Sequence, residues 1–208
     1  MIVDDMPSVA STLRSRIESV PPRTFLRASE LRVGGTSRGA ADAALSRLAD
    51  DPTSPVVRVR RGLYWRGMPS RFGKGAPSTS EVVLAIVGDR GGIGPSGWSA
   101  SRDLGLTTQR PAIEEFATIG TPPTGIRGVR FHRRSNPKRA TLRYLEIATL
   151  EVVRDWPAYT DGDWDELVRA VKSLARTGKI RVPAVRSAAR FEPTTTNDRL
   201  AVLLSALA

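Results

Sequence analysis

Apolar residues near the start of the chain recur at the spacing of short amphipathic helices. The first such face is formed by Val9, Leu13, Ile17 and Val20. Ser8 is a favoured N-cap before this face, and Pro21-Pro22 ends the helix behind it. A second short helix is predicted over residues 28–33, and Gly34-Gly35 supplies the tight turn after it.

A third helix is predicted after this turn, with Thr36 or Ser37 as its N-cap. Its buried stripe consists of small and aliphatic residues, namely Ala41, Ala44, Leu45 and Leu48. Polar residues are left facing solvent near the helix start and further along it: Ser37, Arg38, Asp42 and Arg47. The first turn of such a helix reaches base edges when the helix lies in the major groove of DNA.

The period then changes to two in the segment PVVRVRRGLYWR, residues 55–66. Val57 and Val59 alternate with Arg58 and Arg60, so one face of the predicted strand is apolar and the other is basic. Gly62 marks a hairpin turn before the returning strand. Two helices joined by a turn and followed by a basic hairpin are typical of a winged helix-turn-helix. The predicted DNA-binding residues are Thr36, Ser37, Arg38, Arg47, Arg58, Arg60, Arg61, Tyr64 and Arg66.

The segment from residue 67 to 80 is rich in Gly, Pro and Ser and has no periodicity, which is typical of a linker. We therefore predict a DNA-binding domain at 1–70, a linker at 71–80 and a second domain at 81–208. A capping box, Ser78-Thr79-Ser80-Glu81, leads into a buried helix of the second domain. Further patterns predict a short helix at 98–104, strands within 113–119 and 126–134, and later amphipathic helices. The predicted fold class is α+β, a winged helix-turn-helix domain followed by a mixed α/β domain rich in helices.

Composition narrows the choice of partner and compartment. The 208 residues carry 32 Lys and Arg against 21 Asp and Glu, a net charge of +11 that favours a polyanionic partner. Most of the cations are Arg, which binds phosphate or guanine with paired hydrogen bonds, although a GC-rich genome would give the same bias. The absence of cysteine excludes disulfides, thiolate nucleophiles and zinc fingers. No apolar run is long enough to cross a bilayer, so we predict a cytoplasmic protein without a membrane partner.

Three patterns that can carry enzymatic chemistry have simpler explanations here. Residues 92–97 match G-x-G-x-x-G, but the dinucleotide fingerprint needs a preceding strand and a long following helix, and the pattern predicts neither. His132 is the only histidine, which argues against a metal site. The carboxylates between residues 161 and 166 are explained by helix capping. We therefore predict no catalytic residue, no metal and no cofactor.

Residues 121–145 contain no acidic side chain and include the densest basic run of the chain. Its members are Arg127, Arg130, Arg133, Arg134, Lys138, Arg139 and Arg143. This run is interpreted as a solvated face, a second nucleic-acid contact, or a docking surface for a protein with an acidic patch.

Several short motifs together carry a family resemblance. They are RVRRGLY at 58–64, IGPSGWSA at 93–100 with LGL at 104–106, LEIATL at 145–150 and RLAVLL at 199–204. In this order, the chain resembles the AbiEi-like antitoxins of bacterial abortive-infection toxin–antitoxin systems over most of its length. The Arg-rich, Lys-poor composition suits a mycobacterial member.

The resemblance implies a function in two parts. Members of that family bind inverted repeats in their own promoter through the winged helix. They use the C-terminal domain to neutralise a nucleotidyltransferase-like toxin encoded beside them, by direct binding, by indirect modification of the toxin, or by both. We thus expect an antitoxin and autorepressor. The alternative is a stand-alone winged-helix regulator whose second domain senses a ligand or a protein, and an enzyme acting on nucleic acid ranks third.

Overall fold

The structure, a computed structural model, describes residues 9–31, 37–71, 73–88 and 91–207. Contacts divide the chain into two compact units, the N-terminal unit Met1–Ala85 and the C-terminal unit Ile86–Ala208. The described residues combine eight α-helices with three small sheets, so the predicted α+β class is confirmed. No helix in these ranges has the length and apolar character needed to cross a bilayer.

The N-terminal unit begins with helix α1 (Val9–Ser19), which buries Leu13 and Ile17 as its periodicity predicts. The segment after it differs from the prediction. Residues 24–27 form strand β1 (Thr24–Arg27), and residues 28–30 form a turn where a helix was expected. The rest of the expected helix, residues 32 and 33, lies outside the described residues. Four residues are too few for a recognisable period, and pairing with a distant strand stabilises them instead.

Helix α2 (Arg38–Asp50) forms as predicted because its cap and its buried stripe agree. The Ser37 hydroxyl accepts a hydrogen bond from the Ala40 amide at 3.2 Å. The buried residues are the four predicted ones, Ala41, Ala44, Leu45 and Leu48. Ala44, Leu45 and Leu48 pack in a core with α1 and with Leu26 of β1.

A hairpin of β2 (Val56–Arg60) and β3 (Leu63–Arg66) follows α2, and β1 completes the sheet. The order is β1-β3-β2 with both pairs antiparallel. The predicted alternation is confirmed, because Arg58 and Arg60 are exposed while Val57 and Val59 are half-buried. Gly62 closes the turn with φ of 75°, a left-handed conformation that favours glycine.

The segment predicted as a linker carries structure instead. Strands β4 (Pro69–Ser70) and β5 (Gly73–Lys74) form a small hairpin, and helix α3 (Thr79–Val87) begins within residues 71–80. The Lys74 ammonium donates hydrogen bonds to the carbonyls of Ala49 at 2.7 Å and Val56 at 3.0 Å. These long-range bonds hold the segment on the N-terminal unit, which composition alone does not reveal. The Ser78–Glu81 capping box is confirmed at the start of α3.

The C-terminal unit contains a three-stranded sheet of order β6-β7-β8. Strand β6 (Ile93–Pro95) runs antiparallel to β7 (Glu114–Thr118), and β8 (Val129–Arg133) runs parallel to β7. The short predicted helix is α4 (Gly97–Asp103), with Gly105 in a left-handed conformation after it. These two later strands are the ones predicted within 113–119 and 126–134.

Helices supply the core of the C-terminal unit. They are α5 (Tyr144–Arg154), α6 (Trp164–Arg176), α7 (Val182–Ala189) and α8 (Thr194–Ala206). Helix α5 is buried from Glu146 to Val153 and contacts β6, α4, α7 and α8. It lies so close to β6 that a Cβ atom on Gly94 would stand 2.5 Å from the Ile147 Cβ. Glycine in the G-x-G motif is therefore required by packing between strand and helix.

Candidate nucleic-acid interface

The exposed face of α2 begins at the N-cap and carries small side chains between two arginines. Ser37 and Arg38 are exposed at the helix start, and Arg47 is exposed about two and a half turns later, as predicted. The intervening exposed residues have almost no side chain, namely Gly39, Ala40 and Ala43. Thr36, the other predicted cap, lies outside the described residues. A helix with such a face can bring its backbone close to a partner surface.

The turn of the β2–β3 hairpin carries the second part of this basic surface. Arg58, Arg60 and Arg61 are all exposed, and the side chain of Arg61 is 90% accessible. The Arg58 guanidinium donates a 3.3 Å hydrogen bond to the Ser46 hydroxyl, which places it beside α2. Guanidinium groups on an exposed turn can bind phosphate oxygens with paired hydrogen bonds.

Asp42 joins the helix to the hairpin turn. Its Oδ1 atom accepts hydrogen bonds from the Gly62 amide at 3.0 Å and from the Tyr64 hydroxyl at 2.8 Å. Its other oxygen, Oδ2, lies 3.8 Å from the Arg61 guanidinium. The helical periodicity predicts that Asp42 faces solvent, so the sequence does not reveal that it links α2 to the hairpin turn. The carboxylate fixes where the basic turn stands relative to α2.

Two predicted contact residues do not lie on this surface. Tyr64 is fully buried, and burial together with its hydrogen bond to Asp42 raises the pKa of the phenol to about 12. It lies beneath the hairpin, where Leu63 and Trp65 on either side of it are buried as well. Arg66 pairs with Val56 and Thr24 at the end of β3 away from the Gly62 turn, and it is half-buried.

The basic run of the C-terminal unit is divided by the fold. Arg127, Arg130, Arg133, Lys138 and Arg143 are exposed. The expectation that Arg139 shares their surface is wrong, because only 1% of it is accessible. Its guanidinium donates to Glu192 Oε1 at 2.6 Å and to Glu151.

Buried carboxylates account for the inward members of the run. Arg134 binds Glu151 at 2.6 Å and is half-buried. Burial alone would raise the pKa of Glu151, but hydrogen bonds from Arg134 and the charge of Arg139 outweigh it and lower that pKa. Arg134 and Arg139 therefore belong to a buried ionic cluster, and the surface consists of the remaining five cations.

The patterns considered for enzymatic chemistry have structural roles. His132 Nε2 lies 2.7 Å from the Glu115 carboxylate, and Asp163 and Glu166 form the capping box of α6. The G-x-G-x-x-G segment runs through β6 into α4, a helix of seven residues. No group of three or more metal-binding side chains occurs within the described ranges.

The sequence matches no protein-family model and no curated protein sequence. Among solved structures, the chain is similar to the crystal structure of the RV2827C protein from Mycobacterium tuberculosis, with a TM-score of 0.52 and 15% identity. The similarity covers 98% of this chain and 78% of that one. Nearly the whole chain therefore has a fold like that of the mycobacterial protein.

Proposed function

We propose that the chain is a promoter-binding antitoxin whose N-terminal unit is a winged helix-turn-helix. In this proposal α2 is the recognition helix, the β2–β3 hairpin is the wing, and the Arg60–Gly62 turn is its tip. The chain order from α1 through β1 and α2 to the hairpin, with sheet order β1-β3-β2, supports the assignment. Residues 28–30 form a turn where a first helix of the motif is expected, and residues 32–36, which include Gly34-Gly35, lie outside the described ranges.

The observation that carries the DNA-binding proposal is the link between α2 and the hairpin turn through Asp42. The link holds the hairpin turn against α2, with Arg61 3.8 Å from Asp42, and Arg58 is bonded to Ser46 of the same helix. We propose that α2 enters the major groove while these arginines bind the DNA backbone. Phosphate contacts of this kind position a protein on the duplex, and contacts to base edges supply the specificity.

The small residues on α2 support groove entry. Gly39, Ala40 and Ala43 let the helix backbone approach the groove floor, and alanine methyl groups can contact thymine methyl groups. Arg38 in the first turn is the candidate for bidentate binding to guanine. The exposed face thus combines close approach with one strong hydrogen-bonding group at its start.

The antitoxin half of the proposal rests on the resemblance to AbiEi-like antitoxins. It states that the C-terminal unit neutralises a nucleotidyltransferase-like toxin encoded by the neighbouring gene. If that gene encodes no such protein, the antitoxin half fails, and a winged-helix regulator with a sensing domain becomes the better interpretation.

The DNA-binding proposal is tested by fluorescence anisotropy with the full chain. The probe is a duplex from the region upstream of the chain's own gene, and a duplex of the same base composition in shuffled order is the comparison. We expect tighter binding to the upstream duplex and a steep decrease in affinity with salt. Replacing Arg58, Arg60 and Arg61 together by Ala should reduce the log–log salt slope by about 2.7, at roughly 0.9 per phosphate contact.

A matched control removes three cations elsewhere. Arg169, Lys172 and Arg176 are exposed on α6, so replacing them by Ala changes the net charge equally. This control should retain most of the salt slope. Equal slopes for the two triple variants would show that only net charge matters and would overturn the assignment of the hairpin.

Co-expression with the neighbouring gene tests the antitoxin half. The triple hairpin variant should fail to repress its promoter yet still rescue growth from the toxin, because its C-terminal unit is unchanged. Absence of rescue by the unmodified chain would refute the antitoxin proposal and leave DNA binding unaffected.

A further inference from the structure

Strand β8 has an open backbone edge. The Glu114 amide donates to the Gly128 carbonyl, and the Arg134 amide donates to the Thr118 carbonyl, each at 2.8 Å. These bonds fix the hydrogen-bond register of the parallel pair, so the backbone N–H and C=O groups of the even-numbered residues of β8 point toward β7. The N–H and C=O groups of Val129, Phe131 and Arg133 therefore point away from β7. No strand in the described part of the chain pairs with this outer edge.

Cations stand at both ends of this edge. Arg127 precedes β8 and Arg133 is its last residue, and both are exposed. Between them, Arg130 and His132 share the Glu115 carboxylate at 3.4 and 2.7 Å. The middle of the edge is thus close to neutral, while its two ends are positive.

We propose that the outer edge of β8 is a docking site for an extended acidic segment of the toxin, which adds a fourth strand to the sheet. The inference rests on the proposed antitoxin function. Main-chain hydrogen bonds to Val129, Phe131 and Arg133 supply affinity, and carboxylates of the segment bind Arg127 and Arg133. From Val129 to Arg133 the edge spans about 13 Å at roughly 3.3 Å per residue, enough for five partner residues.

The charges and the backbone spacing together select this occupant. A second copy of the same strand would bring like cations together, a device by which edge strands avoid self-pairing. A nucleic acid would satisfy the arginines but would leave the outward N–H and C=O groups unused. An extended acidic peptide satisfies both sets of groups.

The experiment uses the full chain and the purified product of the neighbouring gene. Arg133→Ala removes the cation and keeps the outward N–H, whereas Arg133→Pro removes both without breaking a bond to β7. Calorimetric titration should show weaker binding for Arg133→Ala and a further loss of about tenfold for Arg133→Pro, the effect of one hydrogen bond. Arg190→Ala, which removes an exposed cation from another surface, is the matched control and should bind normally.

Amide hydrogen exchange gives a second readout. In the complex, exchange at Val129, Phe131 and Arg133 should slow relative to the free chain. A complex that forms with no such protection, and with equal affinities for the Ala and Pro variants, would overturn the edge proposal and leave the antitoxin function intact. Competition by a single-stranded oligouridine probe, with the two variants equally impaired, would assign the surface to RNA and also overturn it. Absence of any complex with the toxin would refute direct binding and the edge proposal together.

Discussion

Replacing Asp42 by Ala should loosen the basic hairpin from helix α2. The change removes an acceptor shared by the Gly62 amide and the Tyr64 hydroxyl. In the variant, the Gly62 amide can donate a hydrogen bond to water. The Tyr64 hydroxyl keeps the main-chain carbonyl of residue 42, at 3.1 Å, as acceptor. Each hydrogen bond to a charged group contributes about 1.5 to 3 kcal/mol. Because both donors find another acceptor, we expect the free energy of unfolding to fall by about 1.5 to 3 kcal/mol in total, and not by twice that amount.

Amide hydrogen exchange of Leu63 and Tyr64 reports this loss in the full chain, because both belong to the central strand β3. Combining Asp42→Ala with Tyr64→Phe should show a coupling of about 1 kcal/mol in a double-mutant cycle. Asp50→Ala is the matched control. Asp50 is exposed on the same helix, so its loss should change stability by less than about 0.5 kcal/mol.

Measured DNA affinity distinguishes the effect of the hairpin's position from the effect of the removed negative charge. Both substitutions remove a negative charge from the N-terminal unit, which by electrostatics alone strengthens binding to a polyanion. We expect Asp50→Ala to bind the upstream duplex slightly more tightly and Asp42→Ala to bind it more weakly, because the hairpin is no longer held beside α2. Stronger binding by both variants, or an unchanged exchange rate at Leu63, would refute the role assigned to Asp42.

Three further outcomes follow from named side chains. Arg38→Ala should cost about 1 to 3 kcal/mol on the upstream duplex and less on the shuffled one, measured by anisotropy; equal losses would contradict base contact. The raised pKa of Tyr64 contributes stability that is complete below pH 10 and is lost as the pH rises through about 12. Denaturant titrations should therefore show that Tyr64→Phe loses less stability than wild type over that interval, by at most about 3 kcal/mol. Arg139→Met should destabilise the C-terminal unit by about 3 to 5 kcal/mol at pH 7, because Glu151 and Glu192 lose a buried partner, and amide exchange in α5 would detect it.

Elements that depend on neighbouring residues were predictable from the sequence. Ser37 caps α2 three residues before the amide it accepts from, and the buried stripe of that helix repeats every three or four residues. The capping box of Asp163 and Glu166 is equally local. In each case the stabilising groups lie within one helical turn, so the residue pattern contains the whole interaction.

Long-range contacts decided what the pattern could not. Strand β1 exists because Phe25 pairs with Trp65, forty residues further along the chain. The basic run from 127 to 143 is uniform in sequence, yet Arg139 lies in the core because Glu192, 53 residues away, meets it there. A local pattern records the charge of an arginine and not where its carboxylate partner lies.

The candidate interface shows the same division. Periodicity alone predicted the exposed arginines of α2 and of the hairpin, because exposure at those positions follows from the register of a helix and a strand. The inward position of Tyr64, the distance of Arg66 from the hairpin turn and the role of Asp42 depended on how the helix meets the hairpin. Twenty residues separate Asp42 from the Gly62 amide that it binds, so only tertiary structure could bring them together.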